Sequence, residues 1–169
     1  MKKHHFTKIA ALLSVFFLTL VFTSSCGGSS DSREATATDT VAAANDEKSL
    51  ADATLRQRCK VAKASFPLKV DQVTTQTDVQ LTPKEIVHLF TIDEDALGVT
   101  LNSDKVSPDA LYGSILESLK LNQQDSTMRQ EMAALVTTGR GIVYHYTGSK
   151  SGAEIEVKVT PEKLGEVMK

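Results

Sequence analysis

Apolar and polar positions alternate along the chain in two places. Val73, Thr75, Thr77, Val79 and Leu81 recur at every second residue, and Thr82-Pro83-Lys84-Glu85 then turns the chain. Ile86–Asp93 (IVHLFTID) is too apolar for a strand wet on one side and predicts a central one. A second pair, Gly141–Thr147 (GIVYHYT) and Ala153–Thr160 (AEIEVKVT), flanks the turn residues Gly148 to Gly152. Its last strand sends Ile155, Val157 and Val159 to one face and Glu154, Glu156 and Lys158 to the other. Ile142, Tyr144 and Tyr146 are expected on the apolar side, with Val143, His145 and Thr147 beside the charges. Two β-hairpins follow, over 70–93 and 141–160.

Between and around them the period changes to that of a helix. Over 49–64, Leu50, Leu55, Cys59 and Ala62 recur at helical spacing, Ser49 is a candidate N-cap, and Phe66-Pro67 ends the run. Arg56, Arg58, Lys60 and Lys63 crowd its polar side and read as a solvated face. Ser107-Pro108-Asp109 opens a second helix carrying Leu111, Tyr112, Ile115, Leu116 and Leu119. A third, over 126–138, carries Met128, Met132, Leu135 and Val136 and ends at Gly139, where a left-handed residue belongs. Thr160-Pro161-Glu162 starts a short last helix with Leu164, Val167 and Met168. Residues 94–103 are ambiguous, with Gly98–Leu101 expected to continue the sheet. The fold class is α+β: a mostly antiparallel sheet of two β-hairpins with helices packed on one face.

The N-terminal pattern is of another kind. Lys2, Lys3 and Lys8, with His4 and His5, precede an apolar run Ile9–Phe22 (IAALLSVFFLTLVF). That run is short of the ~20 residues a membrane-crossing helix needs and matches the h-region of a secretory signal. Thr23-Ser24-Ser25 then lead into Cys26-Gly27-Gly28. A cysteine at this place resembles the lipobox of bacterial lipoproteins, and the relaxed form, with Thr23 where an aliphatic residue is usual, is similar to that of uncharacterised Bacteroidetes envelope lipoproteins. The resemblance implies that residues 1–25 are removed and that Cys26 is lipidated. It also implies a place on the outer rather than the inner membrane, because Gly27 is not the acidic retention residue. Cleavage at Thr23-Ser24-Ser25 without lipid, and an uncleaved anchor, are the competing readings. Gly27 to about Asp46 (GGSSDSREATATDTVAAAND) holds too little apolar surface to fold. The organisation expected is therefore a signal peptide over 1–25, a lipidated Cys and flexible tether over 26–47, and a single domain over 48–169.

Charge narrows the partners. Residues 1–25 hold three of the 19 Lys and Arg and none of the 21 Asp and Glu, so their removal takes the charge from −2 to about −5. This argues against nucleic acid, which calls for a basic patch. Of the two cysteines, Cys59 is read as a small buried hydrophobe; a Cys26–Cys59 disulfide requires that Cys26 carry no lipid.

Candidate chemistry is sparse. His88 and His145 are the two histidines beyond the signal, and adjacent strands would bring them together as a metal or acid–base pair, with Glu154 or Glu156 as a third ligand. A cross-strand polar pair is the ordinary reading. Gly113-Ser114 is no nucleophile elbow, and Gly139-Arg140-Gly141 is no phosphate loop. Arg140 is expected in solvent. Asp93, Glu94, Asp95, Asn102 and Asp104 lack the spacing of a calcium loop and read as a solvated sheet edge.

No cofactor is expected. The leading functional expectation is a membrane-anchored, non-enzymatic envelope module, held to the lipid bilayer through acylated Cys26. It would bind an envelope protein, peptide or polymer through its sheet face or a hairpin edge. A structural or stress-related envelope component is one alternative, and a hydrolase or metal-binding protein using His88 and His145 is another.

Overall fold

The structure is a computed structural model that describes residues 37–104 and 106–169, with side chains from residue 44. The expected signal segment over 1–25, Cys26 and residues 27–36 lie outside the described residues. Helix α1 (Ala37–Lys63) is followed by strands β1 (Leu68–Lys69), β2 (Thr74–Leu81) and β3 (Glu85–Ile92). Helices α2 (Glu94–Leu97), α3 (Pro108–Asn122) and α4 (Ser126–Thr138) come next, then β4 (Gly141–Gly148), β5 (Glu154–Val159) and α5 (Pro161–Val167).

The five strands lie in sequence order, β1 to β5, so both expected hairpins are present and β3 is central. Every neighbouring pair is antiparallel except β3 and β4, which run parallel from Glu85↔Gly141 to Ile92↔Gly148. The two hairpins are thus joined by one parallel ladder, and α2, α3 and α4 form the long crossover that a parallel pair needs.

Helices cover one face. Val79, Ile86, Phe90, Ile92, Ile142, Tyr144, Tyr146, Ile155, Val157 and Val159 line it. Against them pack Leu55 and Cys59 of α1, Leu111, Ile115 and Leu119 of α3, Met132 and Leu135 of α4, and Leu164 and Val167 of α5. Leu55, Met132, Leu135 and Leu164 are wholly buried; truncating any one to Ala would cost about 2–5 kcal/mol through lost transfer energy and a cavity.

Local signals set most boundaries. Asp93 caps α2, accepting from the Asp95 and Ala96 amides, and Gly98 ends it at φ 74°. The expected strand over Gly98–Leu101 is therefore replaced by a helical turn and its glycine stop. Asp125 caps α4 in the same way, and Gly139 closes it at φ 69°, donating to the Leu135 and Val136 carbonyls. Val136, expected in the core, is 38% exposed on the outer side of α4.

Two further expectations need correction. The tether expected to run to residue 47 is helical from Ala37. Ala42-Ala43-Ala44 favour the helix, Thr38 and Thr40 cost only tenths of a kcal/mol each, and a helix already packed at Leu55 extends without a new nucleus. Residues 44–50 are all exposed, so this part of α1 stands clear of the core. The alternation expected over Val73–Leu81 is also broken. The register slips between Gln76 and Asp78, a bulge that turns Thr74 and Gln76 inward with Val79 and leaves Thr77 exposed.

Charged side chains tie the layers together. Arg140, expected in solvent, is buried; its Nε donates to the Thr82 carbonyl and its guanidinium lies 2.6 Å from Asp52 of α1. Arg58 of α1 lies 3.5 Å from Glu131 of α4, whose side chain is 13% exposed. Burial raises the Glu131 carboxyl above its usual range, and Arg58 opposes that rise.

Candidate functional site

Strand alternation leaves one face of the sheet without helices among the described residues. β3 contributes Glu85, Val87, Leu89 and Thr91 to it, β4 contributes Val143, His145 and Thr147, and β5 contributes Glu154, Glu156 and Lys158. Val87, Leu89, Thr91, His145 and Thr147 are half-buried, and the three β5 residues are exposed. Apolar and hydroxyl side chains run along the middle strands, with charge on the outer one.

Val143 is 2% exposed although no helix faces it. Lys158 Nζ reaches to 3.5 Å from Glu85 Oε1 while also lying 3.2 Å from Glu156. β4 lies between β5 and β3, so this bridge crosses over β4 on the face that carries Val143, the register partner of Lys158. Alternation alone carried no sign of that cover.

His145 stands where its pattern put it. Its Nε2 is 3.7 Å from Glu154 and its Nδ1 3.9 Å from Glu156, beyond hydrogen-bond range. His88 is on the opposite face: it pairs across the parallel ladder with Tyr144, whereas His145 pairs with Leu89. The sheet separates the two imidazoles, so they do not converge on one ligand. Among the described residues no group of three His, Cys, Asp or Glu side chains is arranged to hold a metal ion.

His88 belongs to the core. Its ring stacks on Tyr144 at 5.6 Å and Phe90 at 6.3 Å, and Phe90 stacks on Tyr146 at 5.0 Å. The Gln76 side-chain amide lies 2.9 Å from His88 Nδ1. The contact fits an amide N–H donating to an unprotonated Nδ1. Burial drives the imidazole from 6.5 to about 4, so it is neutral at physiological pH. Cys59 is likewise buried, and desolvation pushes its thiol up to about 11, far from a reactive thiolate.

With this geometry in view, comparison with known proteins yields structural likeness only. No family model matches the sequence. No curated protein matches it either. Three solved chains are similar to it in structure. One, described as a secreted protein from Pseudomonas aeruginosa, has a TM-score of 0.50 and 13% identity over 70% of this chain and 96% of its own. The type II secretion pilotin EpsS from Vibrio vulnificus gives 0.49 and 16% over 71% and 96%, and the pilotin AspS from Vibrio cholerae 0.47 and 9% over 70% and 96%. At such identities the first likeness shows a shared fold.

The acidic segment expected as a solvated edge contains a buried carboxylate. Glu94 is 4% exposed and accepts from the amides of Leu101, Lys150 and Ser151 and from the Ser151 hydroxyl, at 2.7–3.0 Å. These donors hold its carboxyl at about 2, against an ordinary 4.5. Glu94 thus locks the β4–β5 turn to the end of β3. Ser114, inside α3, donates its hydroxyl back to the Ala110 carbonyl. Among the described residues no helix is long and apolar enough to cross a membrane.

Proposed function

We propose that this chain is a lipid-anchored protein of the bacterial envelope, acylated at Cys26, whose folded body is a non-enzymatic module that holds a protein or peptide partner. The observation that carries the reading is the sheet face left open by one-sided helix packing, with Val87 and Leu89 half-buried beside Thr91 and Thr147. A row of this kind with a charged rim suits contact with another polypeptide better than a small molecule. Three carboxylates, Glu85, Glu154 and Glu156, against one ammonium, Lys158, favour a partner segment of basic character.

Photo-crosslinkers placed singly at Leu89, Thr91 and His145 in intact cells test the module. One discrete adduct from all three, lost when Leu89→Glu is added to the Thr91 probe and absent from a control probe at Lys60, is the expected result. No adduct, or the same adducts from Lys60, overturns it. A component of a type II secretion system, the assembly named for two of the similar structures, is among the proteins such an adduct would reveal. For the anchor, labelled palmitate should enter the wild-type chain and not Cys26→Ser, which should leave the membrane fraction. Unchanged fractionation would remove the lipid from the reading.

The exposed run of α1 over 44–50 favours a second reading, an envelope component whose reach matters more than its ligand. Deleting residues 27–46 while keeping Cys26 separates the two: the module keeps its crosslinks, whereas the reach-dependent component loses its cellular effect.

A further inference from the structure

We propose that β5 pairs with β5 of a second copy, antiparallel, joining the two sheets edge to edge. In the described residues no strand lies on the far side of β5. Gly148 donates its amide to the Ala153 carbonyl, which fixes the alternation. Ala153, Ile155, Val157 and Val159 bond to β4, so the backbone groups of Glu154, Glu156 and Lys158 point out from the free edge. An edge of this length with unpaired N–H and C=O groups is a template for another strand.

The side chains choose the occupant and the register. Along the outward positions the signs run minus, minus, plus. In the antiparallel register that sets Val157 opposite Val157 of the second copy, Glu156 faces Lys158 of the second copy and Lys158 faces its Glu156. Ile155 then stands across from Val159, so β-branched side chains meet on the covered face and opposite charges on the open one. Shifting so that Glu156 faces Glu156 sets two carboxylates opposite each other between two Glu154–Lys158 pairs, whereas the register centred on Val157 has no like-charge pair. The two Glu–Lys positions exchange about four backbone hydrogen bonds. Charges of one sign would have blunted this edge; opposite signs two residues apart make it self-complementary. The helix-free faces of both copies stay open and become continuous; Glu156 and Lys158 are also rim charges of the partner-binding reading, so the pairing is read from mass and the partner from crosslinks at Leu89 and Thr91.

Light scattering of the full chain in a mild detergent, with detergent mass subtracted, tests it. The wild type should have twice the chain mass. Lys158→Glu and Glu156→Lys should each halve that mass with an unchanged far-UV spectrum, and combining them should restore the dimer, because each position again faces its opposite. Glu156→Pro removes an outward N–H while sparing the β4 ladder and should give the single-chain mass, which provides a reading if a charge variant fails to fold. A wild type of single-chain mass, or a dimer that survives both reversals and the proline, overturns the proposal.

Discussion

Arg140 and Asp52, 88 positions apart, meet at 2.6 Å where the residue before β4 reaches the middle of α1. The same Arg140 binds the Thr82 carbonyl at the opposite hairpin's turn. One guanidinium therefore joins the first helix, the first hairpin and the start of the second. Arg140→Ala should lower stability by roughly 1–3 kcal/mol, the cost of leaving a buried acceptor without its donor, and Arg140→Lys should recover only part, lacking the forked geometry. Denaturant midpoints of the three chains check this.

Glu94 should make the β4–β5 turn acid-sensitive. Its folded value lies below its ordinary one, so its contribution is full above 4.5 and is lost as pH falls toward about 2. The stability gap between wild type and Glu94→Gln should be constant near neutrality and close across that window, as read from unfolding at stepped pH.

Gly148 and Gly113 should respond oppositely to alanine. A Cβ at Gly148 would come 2.6 Å from both Glu94 Oε1 and Ser151 Oγ, so Gly148→Ala displaces the buried carboxylate and destabilises. At Gly113, inside α3, nothing lies within 4 Å, and Gly113→Ala should stabilise by about 0.5–1 kcal/mol through helix propensity. Thermal melts suffice to compare them.

His88 should give a second, higher window. With a folded value near 4 against 6.5, it leaves the unfolded chain binding the extra proton, so stability is full above 6.5 and falls as pH drops through 4. His88→Phe keeps a ring in the stack and should flatten the slope between those limits, while lowering stability at neutral pH because the Gln76 amide loses its acceptor.

Arg58→Ala should cost about 3 kcal/mol, since it strands the Glu131 carboxylate between α1 and α4, and Arg58→Met with Glu131→Leu should cost less than Arg58→Ala alone. A double-mutant cycle on unfolding free energies measures the difference.

The elements visible in sequence were those whose signals are local. Alternation in AEIEVKVT, the Thr82 turn, Pro108 and Gly139 each state a conformation within a few residues, and the structure places them accordingly. Non-local features were hidden. Nothing near Arg140 announces Asp52, and nothing near Glu94 announces the amides of Lys150 and Ser151. The bulge at Gln76–Asp78 put Thr74 and Gln76 on the core face in place of Thr75 and Thr77 while Val79 and Leu81 kept theirs, because a strand read by its period assumes a ladder without slips. His145 was placed correctly beside Glu154 and Glu156, yet the parallel seam that sets His88 on the other side follows from the long crossover and not from either hairpin.

That seam also means each half of the molecule owns a complete hairpin. A chain severed in the Asn102–Asp104 turn would yield one fragment with α1 to α2 and another with α3 to α5, held together by the β3–β4 ladder and the meeting of α1 with α4. The sheet is in effect two pieces mated along one line, and the two fragments, mixed after separate expression, should find each other and co-elute as a single species.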